Sequence, residues 1–172
     1  EGFDSFDAKV FKSGDVMEDV SLQNRDLAIK YSTILSDLNL KGHGFYLSTI
    51  HRAENTDYKH NLHEIVVALN LLGESYPVVL PIHPRTSKMM KEYGLSFSNN
   101  VKVIEPVGYL DMLRLLMECR MVFTDSGGLQ KEAYFQSKFC VTLRKETEWM
   151  ELVDGGFNAI VGANKDRIIE AV

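Results

Sequence analysis

The sequence is poor in cysteine, with two in 172 residues, Cys119 and Cys140. Neither falls in a CxxC or similar spacing, so a disulfide framework or a thiolate metal site is not indicated. Cys119 follows an amphipathic segment and Cys140 sits in the apolar run FCVTL. Both read as small buried hydrophobes. That usage fits a reducing compartment and sets a cytoplasmic expectation. Long hydrophobic runs are also lacking: no stretch approaches the roughly 20 residues that span a bilayer. The start does not read as a secretory signal. There is no basic run, and the formal net charge is -5. An acidic chain of this kind is a poor match for nucleic acid or an anionic membrane, yet it leaves room for a local anion site. The chain begins with Glu1 rather than Met, and is expected to be a piece of a longer protein.

What is present is core-forming material. Hydrophobic residues make up 45% of the chain, enough for one packed domain. Residues 1–14 are mixed and end in the turn-like KSGD. From Val16 to Leu38 apolar residues recur near helical spacing, which predicts a long helix open to interruption. Short apolar strands follow at FYLSTI (45–50), YPVVLPI (76–82), VKVI (101–104), MVFT (121–124), FCVTL (139–143) and NAIVG (158–162). Helical segments separate them. HRAENTD reads as a polar loop. Strands that are apolar without alternation are strands covered on both faces. The order strand, helix, strand, helix therefore predicts an α/β fold, a doubly wound parallel sheet of Rossmann-like type.

In such sheets ligands sit beyond the carboxyl ends of the strands, near a reversal of strand order. The polar residues gather there: HRAEN, HPRT, EPVGY, DSGG and RKETEW each follow a strand. DSGG opens a helix, whose free N–H groups and dipole suit an anion. Ser126 can cap that helix or donate to a phosphate oxygen. Gly127 and Gly128 remove side chains that would block approach. Glu132 lies one turn beyond Gly128 on the same face, roughly 6 Å along the axis. A carboxylate there suits a ribose diol rather than a phosphate. The plainer alternative is a capped helix with glycines that ease packing.

His51 and Arg52 follow the first strand. An imidazole serves as acid, base or charge donor, and a guanidinium grips phosphate or carboxylate. The alternative is a loop-bonded histidine and an arginine paired with Glu54. His83, before Pro84 and Arg85, repeats the placement, or simply caps the helix that Pro84 starts. His60 and His63 stand three apart, but no carboxylate or cysteine completes a metal set, so no metal is expected. There is no GxSxG elbow for serine hydrolysis, no Walker loop and no three-glycine dinucleotide fingerprint.

Together TIHRAENTD (49–57), LPIHPRT (80–86), EPVGYLDML (105–113), TDSGGLQKEAY (124–134), LRKETEWMELVDGG (143–156) and IVG (160–162) carry a resemblance. The chain resembles the C-terminal half of the UDP-N-acetylglucosamine 2-epimerase family, of the glycosyltransferase-B fold. The likeness runs over about residues 14–172. It implies a remnant of the interdomain segment at 1–14 and a UDP-binding domain at 15–172. It implies elimination of UDP from UDP-GlcNAc across C1 and C2, then re-addition after protonation from the other face, giving UDP-ManNAc. A hydrolysing branch releases ManNAc and UDP. Neither a redox cofactor nor a metal is implied; the bound species is the UDP-sugar.

By position the resemblance makes His51 the functional histidine. Ser126, Gly127 and Gly128 become the diphosphate turn, and Glu132 the ribose carboxylate. The segment from Val107 to Met112 would hold the uracil through backbone groups, and Arg144 would lie near the site. Many members read TERPE where this chain reads TEWME, so Trp149 stands where an arginine contacts the nucleotide. Trp149 can stack or wall, but cannot pair with a phosphate. A tryptophan at this place resembles a branch of the family that includes proteins acting on modified UDP-hexosamines such as diacetamido-glucuronate, which leaves the sugar open between UDP-GlcNAc and a modified UDP-hexosamine. The resemblance also implies an N-terminal domain that supplies the catalytic carboxylates, and a homodimer for the full-length protein. Other readings are a UDP-sugar glycosyltransferase domain of the same fold and a non-catalytic nucleotide-binding domain.

Overall fold

A computed structural model describes Lys9, Phe11 and residues 13–172. Of the expected remnant at 1–14, residues 1–8, 10 and 12 lie outside the described residues. The single helix expected from Val16 is three: α1 (Val16–Gln23), α2 (Arg25–Tyr31) and α3 (Ile34–Asp37). At the first break the Asn24 side-chain amide donates to the Val20 carbonyl at 2.8 Å. At the second, Ser32 turns extended, with ψ of 128°, and its hydroxyl donates to Asp111. Asn and Ser offer the backbone such alternatives to the helical ladder.

The rest alternates. The elements are β1 (Tyr46–Thr49), α4 (Ala53–Thr56), α5 (Lys59–Leu72), β2 (Val78–Pro81), α6 (Pro84–Tyr93), β3 (Val101–Ile104) and α7 (Tyr109–Glu118). There follow β4 (Met121–Thr124), α8 (Gly127–Phe135), β5 (Phe139–Thr142), α9 (Met150–Asp154), β6 (Asn158–Ile160) and α10 (Lys165–Glu170). HRAENTD is not all loop: it contains α4.

The strands form one sheet in the order β3-β2-β1-β4-β5-β6, and every neighbouring pair is parallel. Successive strand residues point to opposite faces. Tyr46, Val78, Leu80, Phe123 and Val141 meet α5 through Leu62, Ile65 and Leu69. Their neighbours Leu47, Val79, Val122 and Cys140 meet Leu115 and Leu116 of α7 and Ala133 of α8. Both faces are therefore core, which is why the strands read as unbroken apolar runs. Phe123 is fully buried, with its ring edge-on to Tyr46 at 5.5 Å. Truncating such a ring costs about 3–5 kcal/mol.

The strand order reverses between β1 and β4. The chain lays β2 and β3 on one side of β1, then returns to build β4, β5 and β6 on the other. Loops leaving β1 and β4 diverge to opposite faces, and a crevice opens between them. The hydroxyls of Thr49 and Thr124, 2.6 Å apart, lock the two strand ends at its floor.

Candidate functional site

At the crevice β4 passes into α8. Ser126 is extended and caps the helix, its hydroxyl accepting from the Leu129 N–H at 3.4 Å. The expected cap is there, and Ser126 and Gly128 also line a cleft of about 580 Å³. A side chain on Gly128 would meet only Met17 and Ser126, at 3.6 Å and beyond. The first turn of α8 carries no acidic residue, so its free N–H groups and positive dipole end remain open to an anion.

The loop after β1 is organised by Asp125, which is wholly buried. Its carboxylate accepts from the backbone N–H of His51 at 3.0 Å, the backbone N–H of Arg52 at 2.9 Å and the Asn55 amide at 3.1 Å. His51 Nδ1 lies 3.2 Å from the same group. The imidazole is thus held through Nδ1, which leaves Nε2 as its free nitrogen, and His51 lines the cleft. Arg52 does not pair with Glu54. Glu54 is taken by Arg144 at 2.9 Å.

His83 also does two things. Its Nδ1 accepts from the Arg85 N–H at 3.1 Å and so caps α6 behind Pro84. Its ring lies 5.7 Å from that of His51, on the cleft wall. Arg85 turns away to pair with Asp57, tying the loop after β2 to the loop after β1. Val107 and Met112 complete the wall. Gly108 between them starts α7 without a side-chain cap, so backbone N–H groups stay open there.

Glu132 sits on the same wall, half-buried. Burial pushes its carboxyl above the ordinary glutamate range, and the Tyr109 hydroxyl bond opposes that shift. A partly desolvated carboxylate facing a cleft favours neutral hydroxyl donors over anions.

The loop after β5 reaches the site from the other side. Arg144 is nearly buried and lines a neighbouring cavity rather than the cleft. Its guanidinium is spent on Glu54 and Glu148, each at 2.9 Å. Trp149, like Gly127 and Arg52, is not among the residues that line the cleft; it stands at the first residue of α8. Its indole N–H donates to the Gly127 carbonyl at 2.9 Å, and the Lys131 ammonium lies 4.2 Å from its ring centroid. Gln130 fixes this loop, accepting from Thr147 at 2.6 Å and from Asn158 at 3.0 Å.

Asp125, Asn55 and Glu148 are partners that sequence reasoning passed over, and Glu54, weighed there as a partner of Arg52, belongs to Arg144. For Asp125 a signal existed: a carboxylate directly after an apolar strand must find donors where it is buried. The others are paired across 70 or more residues or through a loop turn, which no local spacing encodes. Among the described residues no cluster of three or more metal-ligating side chains occurs, and no helix is long and apolar enough to cross a membrane.

The chain is similar in sequence and in fold to known proteins. The family model described as UDP-N-acetylglucosamine 2-epimerase matches residues 2–172. A UDP-2,3-diacetamido-2,3-dideoxy-D-glucuronate 2-epimerase of Pseudomonas aeruginosa is 48% identical over 172 residues, covering 99% of this chain and 47% of the relative. A UDP-N-acetylglucosamine 2-epimerase homolog of Methanococcus maripaludis is 44% identical over 168 residues, covering 95% and 46%. The structure of UDP-GlcNAc 2-epimerase from Methanocaldococcus jannaschii, in complex with UDP-GlcNAc and UDP, superposes with a TM-score of 0.87 at 39% identity. That match covers 95% of this chain and 47% of that one. The chain spans about half the length of the relatives it matches. With its parallel sheet, its reversal between β1 and β4 and a family match along almost its whole length, the chain belongs to the UDP-N-acetylglucosamine 2-epimerase family.

Proposed function

We propose that this chain is the UDP-binding half of a nucleotide-sugar 2-epimerase that converts UDP-GlcNAc, or a modified UDP-hexosamine, to its C2 epimer. One observation carries the reading. The uncapped-by-acid start of α8 and the half-buried Glu132 lie on one cleft wall, a turn of helix apart. That spacing suits a diphosphate on the helix N-terminus and a ribose diol on the carboxylate. Uracil then falls toward Val107 and Met112, where backbone donors are open.

In the proposed reaction the C1–O bond breaks and its electrons leave with UDP. The C2 proton departs to a base, leaving a C1–C2 double bond. A proton then returns to C2 from the other face, and a UDP oxygen attacks C1. In the first step this chain stabilises charge growing on the departing phosphate, through the α8 N–H groups and His51. Asp125 holds His51 in place for that task. The groups that move the C2 proton are assigned to a second domain, in keeping with relatives about twice this length. The 48% identity to a diacetamido-glucuronate epimerase and Trp149 in place of arginine favour a modified hexosamine. No metal or redox group has a part in these steps.

A calorimetric titration of the chain with UDP, UMP and ADP tests the binding claim. UDP is expected to bind most tightly. Equal affinity for UDP and ADP removes the uracil assignment, and no binding of any of the three overturns the reading.

A further inference from the structure

Three groups converge on one point at the start of α8, the space that a side chain on Gly127 would fill. The Glu148 carboxylate lies 3.3 Å from that point, the Trp149 indole nitrogen 3.6 Å and the Arg52 guanidinium 4.0 Å. Glu148 is held from behind: Arg144 Nη1 donates to both its oxygens at 2.9 Å. Arg144 is in turn held by Glu54. The result is a row of alternating charge, Glu54, Arg144, Glu148, Arg52, running from the cavity beside β5 to the helix N-terminus. Arg52 is the last member. Among the described residues it makes no ion pair within 4.0 Å, and its side chain is exposed. Its field still reaches Glu148, whose carboxyl lies below the ordinary glutamate range, chiefly through the Arg144 hydrogen bonds and in part through Arg52.

A carboxylate beside the first residue of a helix read as an anion site is at first sight misplaced. Alone it would repel a diphosphate. Here its charge is shared with Arg144, and the exposed guanidinium of Arg52 lies at the same point. The backbone of Arg52 is already pinned by Asp125, so only the side chain remains to be aimed. The geometry points to Glu148 as a positioning residue: it draws the Arg52 guanidinium over Gly127, where it faces the diphosphate end of the ligand. Arg52 then supplies the cation that Trp149, at the family's arginine position, does not. Glu148 acts through Arg52 and does not itself touch the nucleotide. This inference rests on the UDP-binding reading.

The test is a double-mutant cycle on UDP binding, with Glu148→Gln, Arg52→Met and the pair, in the 172-residue chain. UDP carries no hexose, so a loss cannot come from a sugar contact. Glu148→Gln is expected to weaken UDP binding roughly three- to tenfold, and to have no further effect once Arg52 is Met. Arg52→Met should also flatten the salt dependence of binding, with Glu148→Gln partway between. Tighter UDP binding by Glu148→Gln would make the carboxylate a competitor of the diphosphate and overturn the inference. An equal loss with and without Arg52 would do the same, by reducing Glu148 to a support of the loop. Thermal melts of each variant identify any that fails to fold, and Glu148→Asp, which keeps the charge, is expected to restore part of the affinity. Failure of the unaltered chain to bind UDP removes the nucleotide reading itself, a result distinct from any of these.

Discussion

His51 and Asp125 form the joint on which the candidate site turns: the imidazole Nδ1 lies 3.2 Å from a carboxylate that is wholly buried. The two residues sit at the ends of β1 and β4, the strands between which the sheet reverses. One carboxylate thereby fixes a side chain, two backbone N–H groups and the Asn55 amide.

Asp125→Ala is expected to lose both stability and ligand binding. It strands backbone donors in a buried loop, at about 1–3 kcal/mol for each group left unpaired. A urea melt should show a loss larger than that of an exposed substitution, and UDP affinity should fall with it. An unchanged melting midpoint would remove Asp125 as the organiser of the loop. Asp125→Asn, which keeps some acceptor capacity, should lie between.

Glu132→Gln should separate stability from binding. Burial raises the carboxyl in the folded chain. The folded state therefore holds a proton across the window from the ordinary glutamate value up to the raised one. The stabilising contribution is complete below that window and is lost as pH rises through the folded value. Near neutrality the ionised carboxylate weakens the ligand-free fold. The glutamine variant is expected to melt at a higher temperature there, with the gain vanishing in acid, while UDP affinity falls roughly tenfold through the lost charged acceptor. Equal melting curves at all pH values would count against the buried charge.

Gly127→Ala tests the close approach at the start of α8. Its Cβ would stand 3.3 Å from the Glu148 carboxylate and 3.6 Å from the indole nitrogen. The Glu148 carboxylate must give by a few tenths of an ångström, and the indole, in ordinary contact with the new methyl group, registers the change. A shift in the emission of Trp149, the single tryptophan, is expected together with weaker UDP binding. Emission identical to the unaltered chain would show that the loop tolerates the methyl group.

Cys119 and Cys140 should be inert in the folded chain. Both are buried, and burial pushes each thiol up to about 12. Thiolate is the reactive form. Neither should react with a thiol reagent near neutrality until denaturant is added, when both should react. Rapid modification of the folded chain would contradict the packing of both.

Composition and period carried the architecture. Apolar strands alternating with helices specify a covered parallel sheet because only that arrangement buries both faces of every strand. The motif loops were legible for the same reason: polar clusters after buried strands fall at one edge of such a sheet. The caps were open to local reading too, since Ser126 and His83 act on their own helices. The break of the first helical segment was less clear, because Ser32 is turned aside by Asp111, 79 residues away.

Partnership was the part that sequence could not hold. Glu54 stood two residues from Arg52 in the chain and was open to pairing with it, yet belongs to Arg144, 90 residues on. Asp125 was visible as a letter in DSGG, but its hold on His51 depends on β1 and β4 being neighbours. Trp149 was visible as a departure, but not its bond to Gly127. A one-dimensional pattern records which residues a strand or helix can bury, because burial repeats with the local geometry. Which charges then meet is decided by strand order and register, and these exist only once the sheet has closed.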